Sequence, residues 1–249
     1  MPKINPDSPK SVLAKVDSIL QLFHISQPTL SLGQVVAQTQ VRKSTAHRLL
    51  QELVDMGYLT LVREGYAPGL RLLELGMIAQ ETLGLGDILE TAVSNLLTEF
   101  NETMTLATLR GEELVYLHVI QSSNPLQVVV RKGSRRPAQF GATGLALLAC
   151  LPLAERDAFT TPTLPAFTAN TQTDPTEWLQ RLSQIEQRGY AVEYDEYVLG
   201  LGAIALPLKR NKPYALTIFG PTERLRAQEG QIIARLLGLH GTLLRRLPL

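Results

Sequence analysis

Cysteine is nearly absent from this sequence, since Cys150 is the one cysteine among 249 residues. A single cysteine excludes a disulfide within the chain and a zinc site built from several thiolates, and it fits a reducing compartment. Histidine is scarce as well, and neither His118 nor His240 has a partner at the spacing of metal ligands. We therefore expect no metal and no other cofactor, and we interpret Cys150 as a packing residue rather than a redox switch.

Long apolar segments are also missing. No apolar run approaches the ~20 residues with which a helix crosses a bilayer. Residues 1–9 are polar and rich in proline, unlike the apolar segment of a signal peptide. These absences predict a cytoplasmic protein without a membrane partner.

Neither sign of charge is in excess, because the formal net charge is only +1. The distribution of charge is more informative than its total. Arg42, Lys43 and Arg48 lie in a segment that contains no acidic residue between Asp17 and Glu52. A basic cluster on one element, beside a neutral second domain, is typical of a protein that binds DNA.

Apolar residues are plentiful, at 45% of the chain, and can form a substantial core. A chain of this length suits one large domain or two smaller ones. We predict an α+β protein with a DNA-binding domain at 10–70, a linker helix at 71–85 and a second domain at 86–249.

The pattern of the first region predicts a winged helix-turn-helix. Ser31 is a favourable helix N-cap, and Gly57 fits the left-handed position that closes a helix. A β-prone segment at 58–62, a turn at 63–65 and a return strand from Tyr66 make a hairpin. Apolar residues at helical spacing place the helices before the hairpin at 11–25, 32–38 and 43–56.

The helix predicted at 43–56 has two chemically different faces. One face is apolar and can pack on the preceding helices. It consists of Ala46, Leu49, Leu50 and Leu53. The opposite face carries Ser44, His47, Arg48 and Gln51. Arg48 can pair with guanine or a phosphate and Gln51 with adenine, so this face suits the major groove.

We predict DNA contacts at this face, at the helix N-terminus and in the hairpin turn. Free N–H groups and the helix dipole favour a phosphate at the N-terminus. The alternative is an ordinary amphipathic helix with a solvated face, but the helix order and the hairpin favour DNA. The predicted DNA-binding residues are Arg42, Lys43, Ser44, Thr45, His47, Arg48, Gln51 and Arg63.

The second region predicts a mixed domain with a mainly antiparallel sheet. A surface loop rich in threonine and proline is expected at 162–175. The predicted helices are 87–100, 144–151, 176–188 and 222–246, after the helical pattern at 71–83 within the linker. The predicted strands are 105–110, 114–120, 127–131, 190–195, 202–208 and 213–219.

Segments in both halves resemble the isocitrate lyase regulator (IclR) family of bacterial transcription factors. The N-terminal half contributes VRKSTAHRLLQELVDMGYL and YAPGLRLLELG. The C-terminal half contributes RKGSRRPAQFGATGLALLAC, RGYAVEYDEYVLGLGAIALPL and ALTIFGP, in the family's order. The resemblance spans nearly residues 10–247 and implies a repressor or activator of transcription.

The resemblance also implies a GAF-like effector-binding domain after residue 85. Members form homodimers through the N-terminal domains and linker helices, often paired into homotetramers through the regulatory domains. They typically sense small organic acids or aromatic compounds, which change the affinity for an operator in double-stranded DNA. By position, the effector pocket would use Phe140, Ala142, Thr143, Gly144, Glu193, Leu201, Ala203, Thr217 and Phe219.

The segment 142–144 has a physical basis of its own as a ligand site. It precedes the helix predicted at 144–151, so its N–H groups could hold a carboxylate. Gly141 and Gly144 also fit the simpler reading of a tight turn into a helix. Gln139-Phe140 and Gly202-Ala203 replace the family's frequent His-Cys and Arg-Cys pairs, and Phe219 replaces a frequent serine. We therefore expect a less polar and more filled pocket.

Two other functions compete with an effector-controlled regulator. One is a sensor or enzyme domain with secondary DNA binding, for which Glu193, Asp195 and Glu196 are the only catalytic candidates. Their alternation fits a solvated strand edge better, and the sequence contains no nucleophile elbow or phosphate-binding loop, so we expect no enzyme. The other is an architectural DNA binder that has no effector.

Overall fold

The computed structural model describes residues 11–160 and 164–247. These residues divide into two compact units, with the division between Leu83 and Gly84. The predicted start of the first domain at residue 10 and the first residues of the predicted loop 162–175 lie outside the described residues. Within the described part of the chain, no helix combines the length and the apolar character needed to cross a membrane.

The first unit contains three helices, a two-stranded hairpin and a fourth helix. The first helix is shorter than predicted: it ends at Leu20, and the chain then forms an isolated bridge between His24 and Gln27. Ser31 caps the second helix in a reciprocal pair with Gln34, as its identity predicts. The elements are α1 Val12–Leu20, α2 Leu32–Thr39, α3 Lys43–Asp55, β1 Leu59–Val62, β2 Gly65–Pro68 and α4 Leu70–Leu83.

The hairpin is fixed to the segment between α1 and α2 by main-chain hydrogen bonds. Leu30 and Tyr66 exchange N–H···O bonds of 2.9 and 2.8 Å. Gly65 permits this approach, because a Cβ at that position would lie 2.3 Å from the Leu30 carbonyl oxygen. Leu30 is itself fully buried in the core that α1, α2 and α3 share. The hairpin is therefore held firmly beside α3.

The second unit is built on a six-stranded antiparallel sheet with the strand order β5-β4-β3-β8-β7-β6. Its strands are β3 Thr103–Arg110, β4 Glu113–Ile120, β5 Arg135–Pro137, β6 Ala191–Tyr194, β7 Leu201–Lys209 and β8 Pro213–Pro221. Its helices are α5 Leu85–Phe100, α6 Gly141–Ala149, α7 Leu153–Arg156, α8 Pro175–Arg188 and α9 Thr222–Arg246, with a 3-10 turn at Asp157–Phe159.

Each face of the sheet has its own core, because strand residues alternate between the faces. Ile204 and Leu206 of β7 pack on the side of α5 and α9. Ala203 and Ala205 point to the other side, where their small size admits α6. In α6 every residue from Ala142 to Ala149 is buried. The apolar character of this helix thus reflects complete burial.

Two sequence-based predictions for this unit were wrong. Residues 127–131 form no strand, because side chains take up main-chain groups there: the Val128 carbonyl accepts bonds from Thr103 Oγ1 and Gln121 Nε2. The edge strand lies instead at 135–137, after Gly133 donates its N–H to the Tyr116 carbonyl. The helix predicted at 144–151 begins three residues earlier, so the segment 142–144 forms its first turn.

The burial of Cys150 generates a test of its interpretation as a packing residue. The side chain lies 3.4 Å from the Ala146 carbonyl, and burial raises the pKa of the thiol to about 11. At pH 8 the reactive thiolate is then about one molecule in a thousand. Alkylation by iodoacetamide, followed by mass spectrometry, should be at least about 100-fold slower in the native protein than in urea. Equal rates would contradict the packing role.

Candidate DNA-binding surface and effector pocket

The two faces of α3 lie where their periodicity predicts. Ala46, Leu49, Leu50 and Leu53 are buried in the core of the first unit. Lys43, Ser44, His47, Arg48 and Gln51 are exposed, and Thr45 is half-buried. The protein therefore presents one continuous polar face of α3 to solvent.

The N-terminus of α3 is open to an anion. Arg42 is the N-cap residue, and its side chain makes no capping hydrogen bond. The first N–H groups of a helix have no acceptor within the helix, and the helix dipole adds positive potential at that end. Arg42 and Lys43 are exposed beside them. A phosphate would meet both N–H donors and two cations there.

Two pairs of interacting side chains along α3 were not predicted from the sequence. Arg48 Nη1 lies 2.7 Å from Glu52 Oε1, and Gln51 Nε2 donates to Asp55 Oδ1 at 3.0 Å. Their spacing of four residues is the signal that could have revealed them. Exposed pairs of this kind contribute roughly 0.3–0.5 kcal/mol. They orient Arg48 and Gln51 along the helix and can be exchanged for contacts with DNA.

The hairpin places a further cation at the surface. Arg63 is exposed in the turn that joins β1 to β2, and the register pairs Val62 with Gly65 across that turn. The exposed face of α3, the N-terminus of α3 and the turn of the hairpin are the three parts of the first unit in which sequence analysis predicted DNA contacts.

The helix α4 exposes apolar side chains without burying any residue in the first unit. Single exposed apolar residues are common, but several along one helix are typical of a surface that takes part in an interface. The exposed apolar residues of α4, between 40% and 68% accessible, are Leu70, Leu73, Leu75, Met77, Ile78 and Leu83.

In the second unit, a cavity of about 20 Å³ lies at the N-terminus of α6. We call it the α6 cavity. It is lined by six of the nine residues that the family resemblance implies, namely Phe140, Ala142, Thr143, Glu193, Leu201 and Phe219. Gly144, Ala203 and Thr217 lie outside the lining. Thr217 meets the lining through a 3.0 Å hydrogen bond from Thr143 Oγ1, and Gly144 packs on the Ala138 carbonyl.

The carboxylate of Glu193 occupies the N-terminus of α6. It is almost fully buried and accepts hydrogen bonds from the Ala142 N–H at 3.0 Å and the Tyr197 N–H at 2.9 Å. Burial raises the pKa of the Glu193 carboxyl, although both N–H donors act in the opposite direction. The Ala142 N–H, one of the groups that sequence analysis offered to a ligand carboxylate, is thus already bonded to Glu193.

Three residues of the α6 cavity that carry a charged group or a hydroxyl were missed by sequence analysis: Tyr116, Arg136 and Tyr197. The Arg136 guanidinium lies 4.8 Å from the centre of the Tyr197 ring. Burial raises the pKa of the Tyr116 hydroxyl to about 12, so this group stays a hydrogen-bond donor. The basic pair at 135–136, just before the predicted pocket helix, was the available signal for Arg136.

Aromatic rings close one side of the α6 cavity. Phe167 lies between Phe140 and Tyr197, with ring centres 4.8 and 4.6 Å away. A second cavity of about 10 Å³ also touches Phe140, Gly141 and Tyr197. Phe140, Gly141 and Tyr197 therefore line both cavities.

The loop 195–200 carries Tyr197, and acidic side chains hold it in place. Asp195 Oδ1 accepts bonds from the Gly200 N–H at 2.6 Å and from Thr222 Oγ1, at the start of α9, at 2.9 Å. Glu196 forms a two-bonded ion pair with Arg181 of α8 at 2.6 and 2.7 Å. Asp195 and Glu196, which the sequence offered as catalytic candidates, thus connect this loop to α9 and α8.

Family models match both units. The model described as the IclR helix-turn-helix domain matches residues 12–63. The model described as bacterial transcriptional regulator IclR C-terminal matches residues 79–239.

Curated relatives and solved structures agree with these matches. The HTH-type transcriptional regulator KipR of Bacillus subtilis is 30% identical over 84% of this chain and 85% of its own. KdgR of Escherichia coli is 31% identical over 82% of this chain and 78% of its own.

Two solved structures show the same fold. A putative IclR-type regulator from Silicibacter sp. TM1040 has a TM-score of 0.86 at 24% identity and covers 95% of this chain and 96% of its own. An IclR homolog from Microbacterium hydrocarbonoxydans, complexed with 4-hydroxybenzoate, has a TM-score of 0.70 at 24% identity over 94% of this chain and 99% of its own.

The exposed position of Arg48 generates a prediction about DNA affinity. Arg48→Ala should leave the melting temperature unchanged and weaken binding to a DNA fragment selected by the wild-type protein by about 1–3 kcal/mol. Fluorescence anisotropy measures this loss. The matched control is Arg235→Ala, because Arg235 is equally exposed and paired with Glu99 in the second unit. Equal loss in both variants would remove Arg48 from the DNA-binding surface.

Proposed function

The chain belongs to the IclR family of bacterial transcriptional regulators, and we propose that a small organic or aromatic acid, bound beside α6, controls its affinity for operator DNA. The single observation that carries DNA binding is the α3 helix, whose apolar face is buried while its polar face is exposed. The exposed turn of the hairpin, held beside α3 by Leu30 and Tyr66, supplies the wing.

We assign the reading of bases to the centre of α3. Arg48 and Gln51 have the donors for guanine and adenine edges, and His47 lies beside them on the exposed face. Phosphate contacts fall to the helix N-terminus and the wing, where they set the register without reading sequence. The proposed DNA contacts are Arg42, Lys43, Ser44, Thr45, His47, Arg48, Gln51 and Arg63.

We further propose that two copies of the chain bind one roughly palindromic operator. One helix-turn-helix contacts few base pairs, and a two-fold pair doubles the sequence that is read. The exposed apolar residues of α4 supply an interface, together with Val12 and Leu13 of α1, which are 55% and 81% exposed. Pairing of dimers into tetramers would use the second units.

We assign the effector site to the α6 cavity and to three residues next to its lining, Gly144, Ala203 and Thr217. The ligand of the Microbacterium protein, 4-hydroxybenzoate, supports an acid with an aromatic body. Leu201, Phe140 and Phe219 give the cavity an apolar lining that suits such a body. The residues assigned to the effector site are Phe140, Ala142, Thr143, Gly144, Glu193, Leu201, Ala203, Thr217 and Phe219.

If α4 forms the dimer interface, two negative charges introduced on its apolar surface should separate the two copies. Leu73 and Met77 lie one turn apart and are 59% and 63% exposed. Leu73→Glu combined with Met77→Glu should give a monomer in sedimentation velocity at micromolar concentration and weaken operator binding by at least about tenfold. Thr82→Glu, at an exposed polar position on the opposite face of the same helix, should remain a dimer. A wild-type monomer, alone and on DNA, would refute this interface.

Acid control predicts a change in operator affinity on addition of ligand. A set of organic and aromatic acids that includes 4-hydroxybenzoate should contain at least one compound that raises the melting temperature of the protein. That acid should change the operator dissociation constant by about 5–150-fold, the usual range of allosteric coupling. Operator binding unaffected by every acid would instead indicate an architectural DNA binder.

A further inference from the structure

The α6 cavity holds an acid and a base that are not paired with each other. Glu193 and Arg136 both line it, and no ion pair within 4.0 Å joins them. The two groups mark the cavity with opposite charges, so a ligand with two different polar groups can match both. The positions of these two charges therefore determine how an acid is oriented in the cavity.

The negative end of the cavity lies at the N-terminus of α6. Glu193 Oε2 fills the position in front of the Ala142 N–H, and a Cβ on Gly141 would lie only 3.0 Å from that oxygen. A ligand carboxylate there would have to displace Glu193 or lie beside it. Two carboxylates in one buried site repel each other strongly. The N-terminus of α6 therefore disfavours the acid group of a ligand.

The positive end of the cavity is Arg136 on β5. Its neighbour Arg135 pairs with Glu113, whereas Arg136 has no carboxylate within ion-pair distance among the residues that the structure describes. The recorded contact of its guanidinium is the ring of Tyr197. A guanidinium binds a carboxylate through two parallel N–H bonds, with more energy and specificity than a stacked ring supplies.

The carboxylate of Glu193 is suited to a hydrogen-bond donor. Each of its oxygens accepts one N–H, from Ala142 or from Tyr197, so each retains a lone pair. A ligand hydroxyl can donate to one of them. It would join the hydroxyl groups of Tyr116 and Thr143, which line the same cavity.

We propose that Arg136 binds the carboxylate of the effector and that Glu193 accepts a hydrogen bond from a hydroxyl group at its other end. The effector is then a hydroxy acid with an apolar body. This inference rests on the proposed acid control and names the chemistry of its ligand. Binding replaces the contact between Arg136 and Tyr197. The cavities of about 20 and 10 Å³ are smaller than such a ligand, so the loop 195–200 that carries Tyr197 has to move outward to admit it.

The test uses matched ligands that differ in one group. 4-Hydroxyphenylacetate carries both groups, phenylacetate lacks the hydroxyl, and 4-hydroxyphenylacetamide lacks the charge. 4-Hydroxybutyrate, butyrate and 4-hydroxybutyramide form a second, smaller series. Isothermal titration calorimetry at pH 7 gives the affinity of the full-length protein for each compound. In at least one series the hydroxy acid should bind about tenfold or more tightly than either partner.

Variants of Arg136 and Glu193 test which residue binds each end of the ligand. Arg136→Gln should bring the acid-to-amide affinity ratio close to one, and Arg136→Lys, which keeps the charge, should give an intermediate ratio. Glu193→Gln should keep the preference for the acid and lose the preference for the hydroxyl. Arg135→Gln is the control and should keep both preferences. Thermal melting establishes that each variant is folded.

Several outcomes would overturn the proposal. These are an unchanged acid-to-amide ratio in Arg136→Gln, equal binding of the hydroxylated and plain acids, or no binding of any compound at millimolar concentration. Operator affinity measured in parallel separates this failure from that of the proposed function. If an acid shifts operator affinity equally in wild type and Arg136→Gln, acid control stands and the orientation fails. If no acid shifts it, acid control itself fails.

Discussion

The helix α6 is buried from Ala142 to Ala149, so the polar groups at both of its ends need partners inside the protein. At the N-terminus the partner is Glu193, which accepts the Ala142 N–H. At the C-terminus it is Arg156, only 1% exposed, whose guanidinium donates to the Ala149 and Leu151 carbonyls. Both side chains come from outside the helix. The cavity and the loop 195–200 both lie beside the N-terminal partner, Glu193.

The same arrangement explains how a small ligand can act beyond its own contacts. Glu193 accepts hydrogen bonds from α6 and from Tyr197, while Asp195 and Glu196 tie the loop 195–200 to α9 and α8. We infer that a ligand which moves Tyr197 acts first on its N–H bond to Glu193, within a loop that Asp195 and Glu196 bind to α9 and α8. Coupling of this kind needs an element with two arrangements, and the loop 195–200 is the element that the contacts single out.

Local patterns predicted much of the fold and of the DNA-binding surface. The helical period of Ala46, Leu49 and Leu53 was enough to separate the two faces of α3, and Ser31 marked the start of α2. The predicted strand 127–131 failed because side chains distant in sequence, such as Thr103, bond its main chain. Propensity contains no information about such contacts.

The effector pocket was harder to predict because it is assembled from distant segments. Glu193 bonds a residue 51 positions away, and Arg136 reaches the cavity only because β5 pairs with β4 at the edge of the sheet. Neither relation follows from periodicity. The family resemblance implied six residues of the lining, but Arg136, Tyr116 and Tyr197 became visible only in the structure.

We infer that ligand binding in the second unit and operator binding in the first are coupled. Coupling between two binding equilibria is reciprocal, so it can be measured from either side. The most direct measurement is the dissociation constant of an acid effector for the free protein and for the protein saturated with operator duplex. Coupling predicts two dissociation constants that differ by the same factor, about 5–150, by which the acid changes operator affinity. Identical constants for free and operator-bound protein would contradict it.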